Sequence, residues 1–159
     1  MLKPVRFTLL ATLAAVATLR ATSPLTVTTV LGHSMAPTLR PGSSYVLDRS
    51  YYRSHALCQG DIVVFRLGGE TYIKRVHALP GDQVWLLRDN DGDDQLLEPS
   101  EVARFDRVNT RGRLPGYRVL AVTIPPGHCY VLGDNRVNSI DSRELGPVPI
   151  SGIVGRVMQ

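Results

Sequence analysis

The chain has 159 residues, of which 43% are hydrophobic and 20% are charged. This length suits one domain with its own core, and the composition excludes a disordered protein. The formal net charge of +4 is compatible with an anionic membrane surface or with nucleic acid as a partner. Because the arginines are scattered along the chain rather than clustered, we expect no nucleic-acid partner.

The N-terminus combines positive charge with an apolar run. Lys3 and Arg6 precede residues 7–19, which are apolar except for three threonines, and Arg20 closes the run. As a helix the run would be about 20 Å long, which is short of a hydrocarbon core of about 30 Å. Crossing a membrane would require residues 4–21, with the flanking arginines snorkelling outward. A cleaved signal peptide and a buried helix of a soluble protein are the alternatives.

After Arg20 the pattern changes to short strands separated by glycine and proline turns. The β-branched segment 26–31 predicts an extended stretch that leads to Ser34. Gly68 and Gly69 are typical of a two-residue hairpin. Further strands are expected at 45–47, 62–67, 71–76, 84–87, 117–124, 130–132 and 152–157. Segment 95–115 is predicted to be a loop-rich cap, and no soluble helix is expected.

This alternation of short strands and turns predicts a mainly β protein with a folded or closed antiparallel sheet.

Cys58 and Cys129 are the only cysteines, and they lack the spacing of a zinc or redox motif. We expect them to be two buried free thiols, and a disulfide between them is the alternative if the domain is extracytoplasmic. Four scattered histidines form no metal motif, so neither a metal nor another cofactor is expected.

Ser34 lies in the segment Gly-His-Ser-Met-Ala-Pro-Thr-Leu, residues 32–39. Taken alone it is a turn serine, because a hydroxyl is a poor nucleophile until a neighbouring base removes its proton. His33 directly precedes it. Adjacent residues in an extended segment point to opposite faces, so we do not expect His33 to be that base.

Lys74 lies in the segment Tyr-Ile-Lys-Arg of a predicted strand. Strand alternation places Tyr72, Lys74 and Val76 on one face, where the amine would be withdrawn from water. Burial disfavours the ammonium ion and lowers the pKa of a lysine, so a neutral amine could accept the proton of Ser34. The alternative is an ordinary surface lysine with its charged end in solvent.

A third motif covers residues 133–143, Gly-Asp-Asn-Arg-Val-Asn-Ser-Ile-Asp-Ser-Arg. Chemistry alone predicts a polar loop of Asx and serine turns. Together the three motifs resemble the active-site signature of the bacterial type I signal peptidases, with Leu-Pro-Gly-Asp at 79–82 in support. The resemblance covers residues 32–157.

The resemblance implies an antiparallel, signal-peptidase-like β-fold with an N-terminal membrane-anchor helix. Residues 1–22 would be the anchor, and residues 23–159 would be an extracytoplasmic, β-rich peptidase domain. Lys3 and Arg6 would keep the N-terminus in the cytoplasm. The protein would then be a single-pass protein of the plasma membrane, in contact with membrane lipid.

The resemblance also implies roles for individual residues. Ser34 would be the nucleophile and Lys74 its base, and Ser139 would hydrogen-bond the Lys74 amine. Asp141 would join a salt-bridge network with Arg75 and Arg143. The remaining site residues are Gly32, where some family members carry an oxyanion-binding hydroxyl, and the substrate-binding residues Val30, Leu31, Met35, Leu39, Tyr72 and Ile73.

The implied function is that of a membrane-bound serine endopeptidase. It would remove N-terminal signal peptides from exported preproteins after small-x-small sites, through an acyl-enzyme and without a cofactor. One alternative is a dedicated Ser-Lys maturation peptidase of a conjugation or pilus system, and another is an inactive anchored β-domain that serves as a binding module. The intact 133–143 block disfavours the first alternative, and intact Ser34, Lys74 and Ser139 disfavour the second.

Overall fold

The computed structural model describes residues 23–110 and 116–159, but not the side chains of residues 106–110. The predicted anchor, residues 1–22, therefore lies outside the described residues, as does part of the predicted cap. Within the described ranges, no helix is long and apolar enough to cross a membrane.

The described part of the chain forms ten strands in two antiparallel sheets, which confirms the mainly β prediction. The larger sheet has the strand order β1-β2-β10-β3-β4-β8-β9, and the smaller sheet has the order β6-β5-β7. The strands are β1 (Leu25–Thr29), β2 (Ser44–Asp48), β3 (Ile62–Leu67), β4 (Glu70–Ala78), β5 (Gln83–Arg88), β6 (Asp94–Leu97), β7 (Arg118–Thr123), β8 (His128–Leu132), β9 (Val148–Pro149) and β10 (Ile153–Val157).

The predicted hairpin at Gly68 and Gly69 is confirmed, since Leu67 of β3 pairs directly with Glu70 of β4. Both glycines have positive φ, the conformation that a tight two-residue turn requires. Strand β1 ends at Thr29, two residues before the predicted end, and the chain then enters the turns that carry Ser34.

The prediction of a loop-rich cap at 95–115 is wrong. The segment begins in β6 and continues into helix α1 (Pro99–Thr110). Pro99 occupies the first helical position, where its fixed φ suits the helix and its missing N–H costs nothing. The Glu101 carboxylate accepts a hydrogen bond of 3.0 Å from the backbone N–H of Glu98, as in one half of a capping box. These N-terminal residues favour a helix here, although apolar residues recur only weakly at helical spacing along the segment.

A second α-helix, α2 (Ser142–Leu145), is a single turn close to the active site. Single 3₁₀ turns occur at Tyr51–Arg53, Arg136–Asn138 and Ile150–Gly152.

Cys58 and Cys129 are both free, but only Cys129 is buried, so the predicted burial of Cys58 is wrong. Burial raises the pKa of the Cys129 thiol to about 11.

Part of the hydrophobic core lies directly beneath the turn that carries Ser34. This cluster combines side chains of that turn with others from β2, β3 and β10, namely Val30, Met35, Leu39, Leu47, Ile62, Val64 and Val157. Met35 and Leu39 are almost completely buried in it. The turn is therefore held to the sheet by apolar packing on either side of Ala36 and Pro37.

Replacing Leu39 by alanine should lower the free energy of unfolding by about 3 kcal/mol, because a fully buried side chain leaves a cavity. The matched control is Leu31→Ala, since Leu31 is 90% exposed and its loss should cost under about 0.5 kcal/mol. Urea unfolding of both variants measures the difference. Equal stability of the two variants would contradict the packing described here.

Candidate active site

Ser34 is carried by a compact turn that follows β1. Backbone hydrogen bonds from Ala36 N–H to His33 C=O, 3.1 Å, and from Leu39 N–H to Met35 C=O, 2.8 Å, close the turn. Because Met35 points into the core, the neighbouring Ser34 remains at the surface of the turn, half-buried. The exposed His33 lies on the solvent side.

Lys74 meets Ser34 from the middle of the larger sheet. Its Nζ donates a hydrogen bond of 2.8 Å to the Ser34 Oγ and another of 3.1 Å to the Ile73 carbonyl. The Lys74 residue is only 4% exposed, and its Nζ lies 5.8 Å from the centre of the Tyr72 ring. The sheet therefore brings the predicted nucleophile and the predicted base into direct contact.

Burial lowers the pKa of the Lys74 amine below its usual range, because the ammonium ion loses its hydration. The negative charge of Asp141 favours the ammonium ion and offsets part of this effect. A lowered pKa increases the share of neutral amine at any given pH. Such an amine at hydrogen-bond distance from a serine hydroxyl has the geometry of a general base beside its nucleophile.

The loop at 133–143 is fastened to the Ser34 turn through its backbone. The Asn135 N–H donates a hydrogen bond of 2.9 Å to the Ser34 carbonyl. A side chain at Gly133 would collide with the Ser139 hydroxyl and the Ser34 carbonyl oxygen, so this position needs glycine for close approach. Gly133 was not among the predicted site residues, although it opens the third sequence motif.

Asp141 is completely buried and holds this loop together. Its carboxylate accepts hydrogen bonds from the Gly133 N–H at 2.9 Å and from the Arg143 Nε at 2.9 Å. Burial raises the pKa of Asp141, but these hydrogen bonds outweigh that effect and leave the pKa below its usual range. The carboxylate therefore stays ionised close to Lys74.

The predicted salt bridge between Arg75 and Asp141 is wrong. The Arg75 guanidinium instead binds Asp134 through two hydrogen bonds, 2.8 Å and 2.7 Å, and donates a third to the Gly60 carbonyl. Strand alternation explains why Arg75 binds Asp134 rather than Asp141, because Arg75 points to the face of β4 opposite to Lys74. Asp134 was not among the predicted site residues, yet its carboxylate joins the loop to β4.

The structure does not contain the predicted hydrogen bond between Ser139 and Lys74. The Ser139 hydroxyl is buried beside Gly133, and it has no hydrogen-bond partner among the described residues. The Lys74 amine donates instead to Ser34 and to its neighbouring carbonyl.

A cavity of about 290 Å³ opens beside Ser34, between the end of β1 and the beginning of β4. Five of the six predicted substrate-binding residues line it, but Leu39 does not, because its side chain is buried in the core below. Gly32 also lines the cavity, as do Thr28, Thr29 and Thr71, which were not among the predicted site residues. The complete lining is residues 28–32, Ser34, Met35 and residues 71–74.

Two strand edges border this cavity without a partner strand in the described structure. Strand β1 ends the larger sheet and pairs only with β2. Strand β4 pairs with β8 only from Arg75 onward, so residues 70–74 leave one edge unpaired. Backbone N–H and C=O groups of both strands are therefore available beside Ser34.

Comparison with known proteins identifies the family of this chain. The family described as "Signal peptidase, peptidase S26" matches residues 2–159. Signal peptidase I of Bacillus caldolyticus is 38% identical over 140 residues, which cover 80% of this chain and 74% of that protein. Signal peptidase IB of Staphylococcus aureus is 31% identical over 140 residues, which cover 81% of this chain and 73% of that protein.

A crystal structure of a signal peptidase I from Enterococcus faecalis is 28% identical in sequence, with a TM-score of 0.42 over 66% of this chain and 98% of that chain. The family match extends over the described domain and over most of the preceding segment. This confirms the resemblance seen in the sequence motifs. The chain belongs to the S26 family of signal peptidases and is therefore a serine peptidase, a hydrolase.

Proposed function

We propose that this chain removes signal peptides from exported preproteins, with Ser34 as nucleophile and Lys74 as general base. The observation that carries the proposal is the 2.8 Å contact between the Ser34 hydroxyl and the buried Lys74 amine. The names of the relatives, signal peptidase I and signal peptidase IB, support the substrate class.

The substrate would bind as an additional strand between the free edges of β1 and β4. Main-chain hydrogen bonds would supply affinity, while side chains facing the cavity would supply specificity. Alternate residues of a strand point to the same side, so the first and third residues before the cut would face the cavity wall. That wall contains Val30, Met35 and Ile73.

In the chemical step, the neutral Lys74 amine would take the proton of the Ser34 hydroxyl while Oγ attacks the scissile carbonyl. The resulting Lys74 ammonium ion would then protonate the departing amine of the mature protein. An ester between Ser34 and the signal peptide would remain. Lys74 would next take a proton from water as the water attacks the ester, and would return that proton to the departing Ser34 Oγ, which releases the peptide and restores the serine and the neutral amine.

The oxyanion of this reaction needs hydrogen-bond donors directed at the developing charge. The Ser34 backbone N–H is one candidate. Gly32 lines the cavity, and a side chain added there would meet no atom within 4 Å. We infer that the second donor is a backbone N–H or a water molecule that enters this open space.

The proposal also includes attachment of the chain to the plasma membrane. Residues 1–22 would anchor the chain in the plasma membrane as a single pass, and Lys3 and Arg6 would keep the N-terminus in the cytoplasm. The described domain would then lie on the outer side. The peptidase would meet its substrates as their signal peptides leave the bilayer.

Ser34→Ala and Lys74→Met should each lower kcat/KM for an Ala-x-Ala preprotein by about 10⁴-fold or more, because each removes half of one catalytic unit. The double variant should be no worse than either single variant. His33→Ala, the neighbouring exposed position, is the control and should retain activity. Circular dichroism checks the fold of every variant.

Mass spectrometry of a rapidly quenched reaction should also find the signal peptide attached to Ser34 in the wild type. Substantial turnover by Lys74→Met would remove Lys74 from the mechanism. Failure to cleave any preprotein, with a folded wild-type chain, would favour the binding module. Cleavage of one pilus or conjugation precursor alone would favour the dedicated maturation peptidase.

The pH dependence should identify the base. Burial lowers the pKa of Lys74, so the neutral, reactive amine forms as the pH rises through a value below the ordinary lysine pKa of about 10.4. The profile of kcat/KM should therefore rise with pH through that lowered value. His33→Ala should give the same profile. A limb near pH 6.5 that disappears in His33→Ala would show that a histidine acts instead.

Ile73→Ala should widen the range of accepted signal peptides, because it enlarges the wall of the substrate cavity. For peptides with leucine at the first or third position before the cut, kcat/KM relative to the Ala-x-Ala peptide should rise at least about tenfold at one position. Ile150→Ala is the matched control, since Ile150 packs elsewhere in the core. An unchanged ratio in Ile73→Ala would place the specificity pocket elsewhere.

A further inference from the structure

A second cavity, of about 450 Å³, shares no lining residue with the cavity beside Ser34. Three of its lining residues are arginines, and none is acidic. The lining consists of Ser23, Pro24, Arg49, Arg53, Arg66, Ile153 and Val154. The cavity is thus strongly cationic, with one apolar wall.

The fold gathers these arginines from two segments, the connection after β2 and strand β3. Arg49 follows β2, and its backbone N–H donates a hydrogen bond of 2.9 Å to the Pro24 carbonyl. Arg53 ends the 3₁₀ turn after β2, and Arg66 lies near the end of β3. The beginning of strand β10 lies against β3, where Gly152 approaches the Arg66 carbonyl closely. Ile153 and Val154 of β10 form the apolar wall.

The positive charge of this cavity is not neutralised within the described part of the chain. Arg75, Arg88, Arg143 and Arg156 each pair with a carboxylate there, whereas none of the three cavity arginines does so. The nearby carboxylates have other partners. Asp48 accepts hydrogen bonds from the backbone and side chain of Ser50, and Asp61 binds Arg156 and Tyr52.

We propose that this cavity binds the phosphate of an anionic phospholipid headgroup. Guanidinium groups match phosphate oxygens with paired hydrogen bonds, and three unpaired arginines around one cavity favour an anion strongly. The wall of Ile153 and Val154 offers an apolar surface to the glycerol end of the lipid.

The position of the cavity favours a membrane lipid as the source of the phosphate. Ser23 and Pro24, which line it, directly follow the proposed anchor of residues 1–22. Exposed Leu25 and Val27 come next on β1, and Val46 is the exposed cross-strand partner of Val27. Apolar side chains beside unpaired arginines are typical of a surface that rests on an anionic membrane.

Strand β1 leads from this cavity to the substrate cavity. Pro24 lines the first and Thr28 the second, about 13 Å apart along an extended chain. A bound headgroup would therefore set the height of the substrate cavity above the membrane surface. The site deepens the proposed membrane association, on which it rests, and is independent of the chemistry at Ser34.

Binding to the full chain in a non-ionic detergent tests the site, with calorimetric titration of short-chain phosphatidylglycerol, short-chain phosphatidylcholine and inorganic phosphate. Arg53→Gln with Arg66→Gln should weaken phosphatidylglycerol binding on the order of 25-fold, with each arginine contributing about fivefold. The matched control is Arg104→Gln with Arg118→Gln, two exposed arginines outside the cavity, which should bind like the wild type.

Cleavage of a soluble peptide should be unchanged in the cavity variant, which verifies its fold. Ser34→Ala should bind phosphatidylglycerol normally, so failure of this site and failure of the proposed peptidase are distinguishable. Unchanged phosphatidylglycerol affinity in the cavity variant would overturn the site. Equal affinity for phosphatidylcholine, or for inorganic phosphate, would overturn its assignment to an anionic lipid.

Discussion

The contact between the Lys74 amine and the Ser34 hydroxyl joins segments forty residues apart, and the surrounding structure keeps it in place. Withdrawing an amine from water disfavours its charged form. The Lys74 amine therefore stays in this environment only if neighbouring elements exclude solvent from it. Strand β4 does so from the middle of the sheet, while Met35 and Leu39 hold the Ser34 turn from below. The contact between Ser34 and Lys74 consequently depends on core packing as much as on local sequence.

Two ion pairs, on opposite faces of β4, hold the 133–143 loop beside Ser34 and Lys74. On the Lys74 side, Asp141 binds Arg143 and the Gly133 backbone, and its charge limits how far the lysine pKa falls. On the other side, Arg75 binds Asp134 and so ties the loop to the strand. Breaking either pair would leave a charge with little access to water, so both act mainly on the geometry of the loop.

Strand β1 runs between the two cavities of the molecule. Its far end and the unpaired half of β4 border the cavity beside Ser34, while Ser23 and Pro24, just before its beginning, border the cavity lined by three arginines. Under the two proposals, the same strand would relate the position of a docked peptide to the point where the chain approaches the membrane. Open edges normally invite aggregation, and the proposed binding of a substrate as an added strand would explain why this sheet keeps two.

The sequence by itself determined the β class and the Gly68-Gly69 hairpin, because alternation and turn residues act locally. The pairing of Ser34 with Lys74 followed from the resemblance of three motifs to a known family, because local patterns do not match residues forty positions apart. Tertiary structure decided which groups meet. Arg75 binds Asp134 instead of Asp141 because of the face it occupies, and Leu39 enters the core instead of the cavity. Helix α1 escaped prediction because its evidence lies in its N-terminal residues rather than in an apolar period. The arginines that look scattered along the chain converge on one cavity because β2, β3 and β10 are neighbours in the sheet, and sequence separation carries no information about such neighbours.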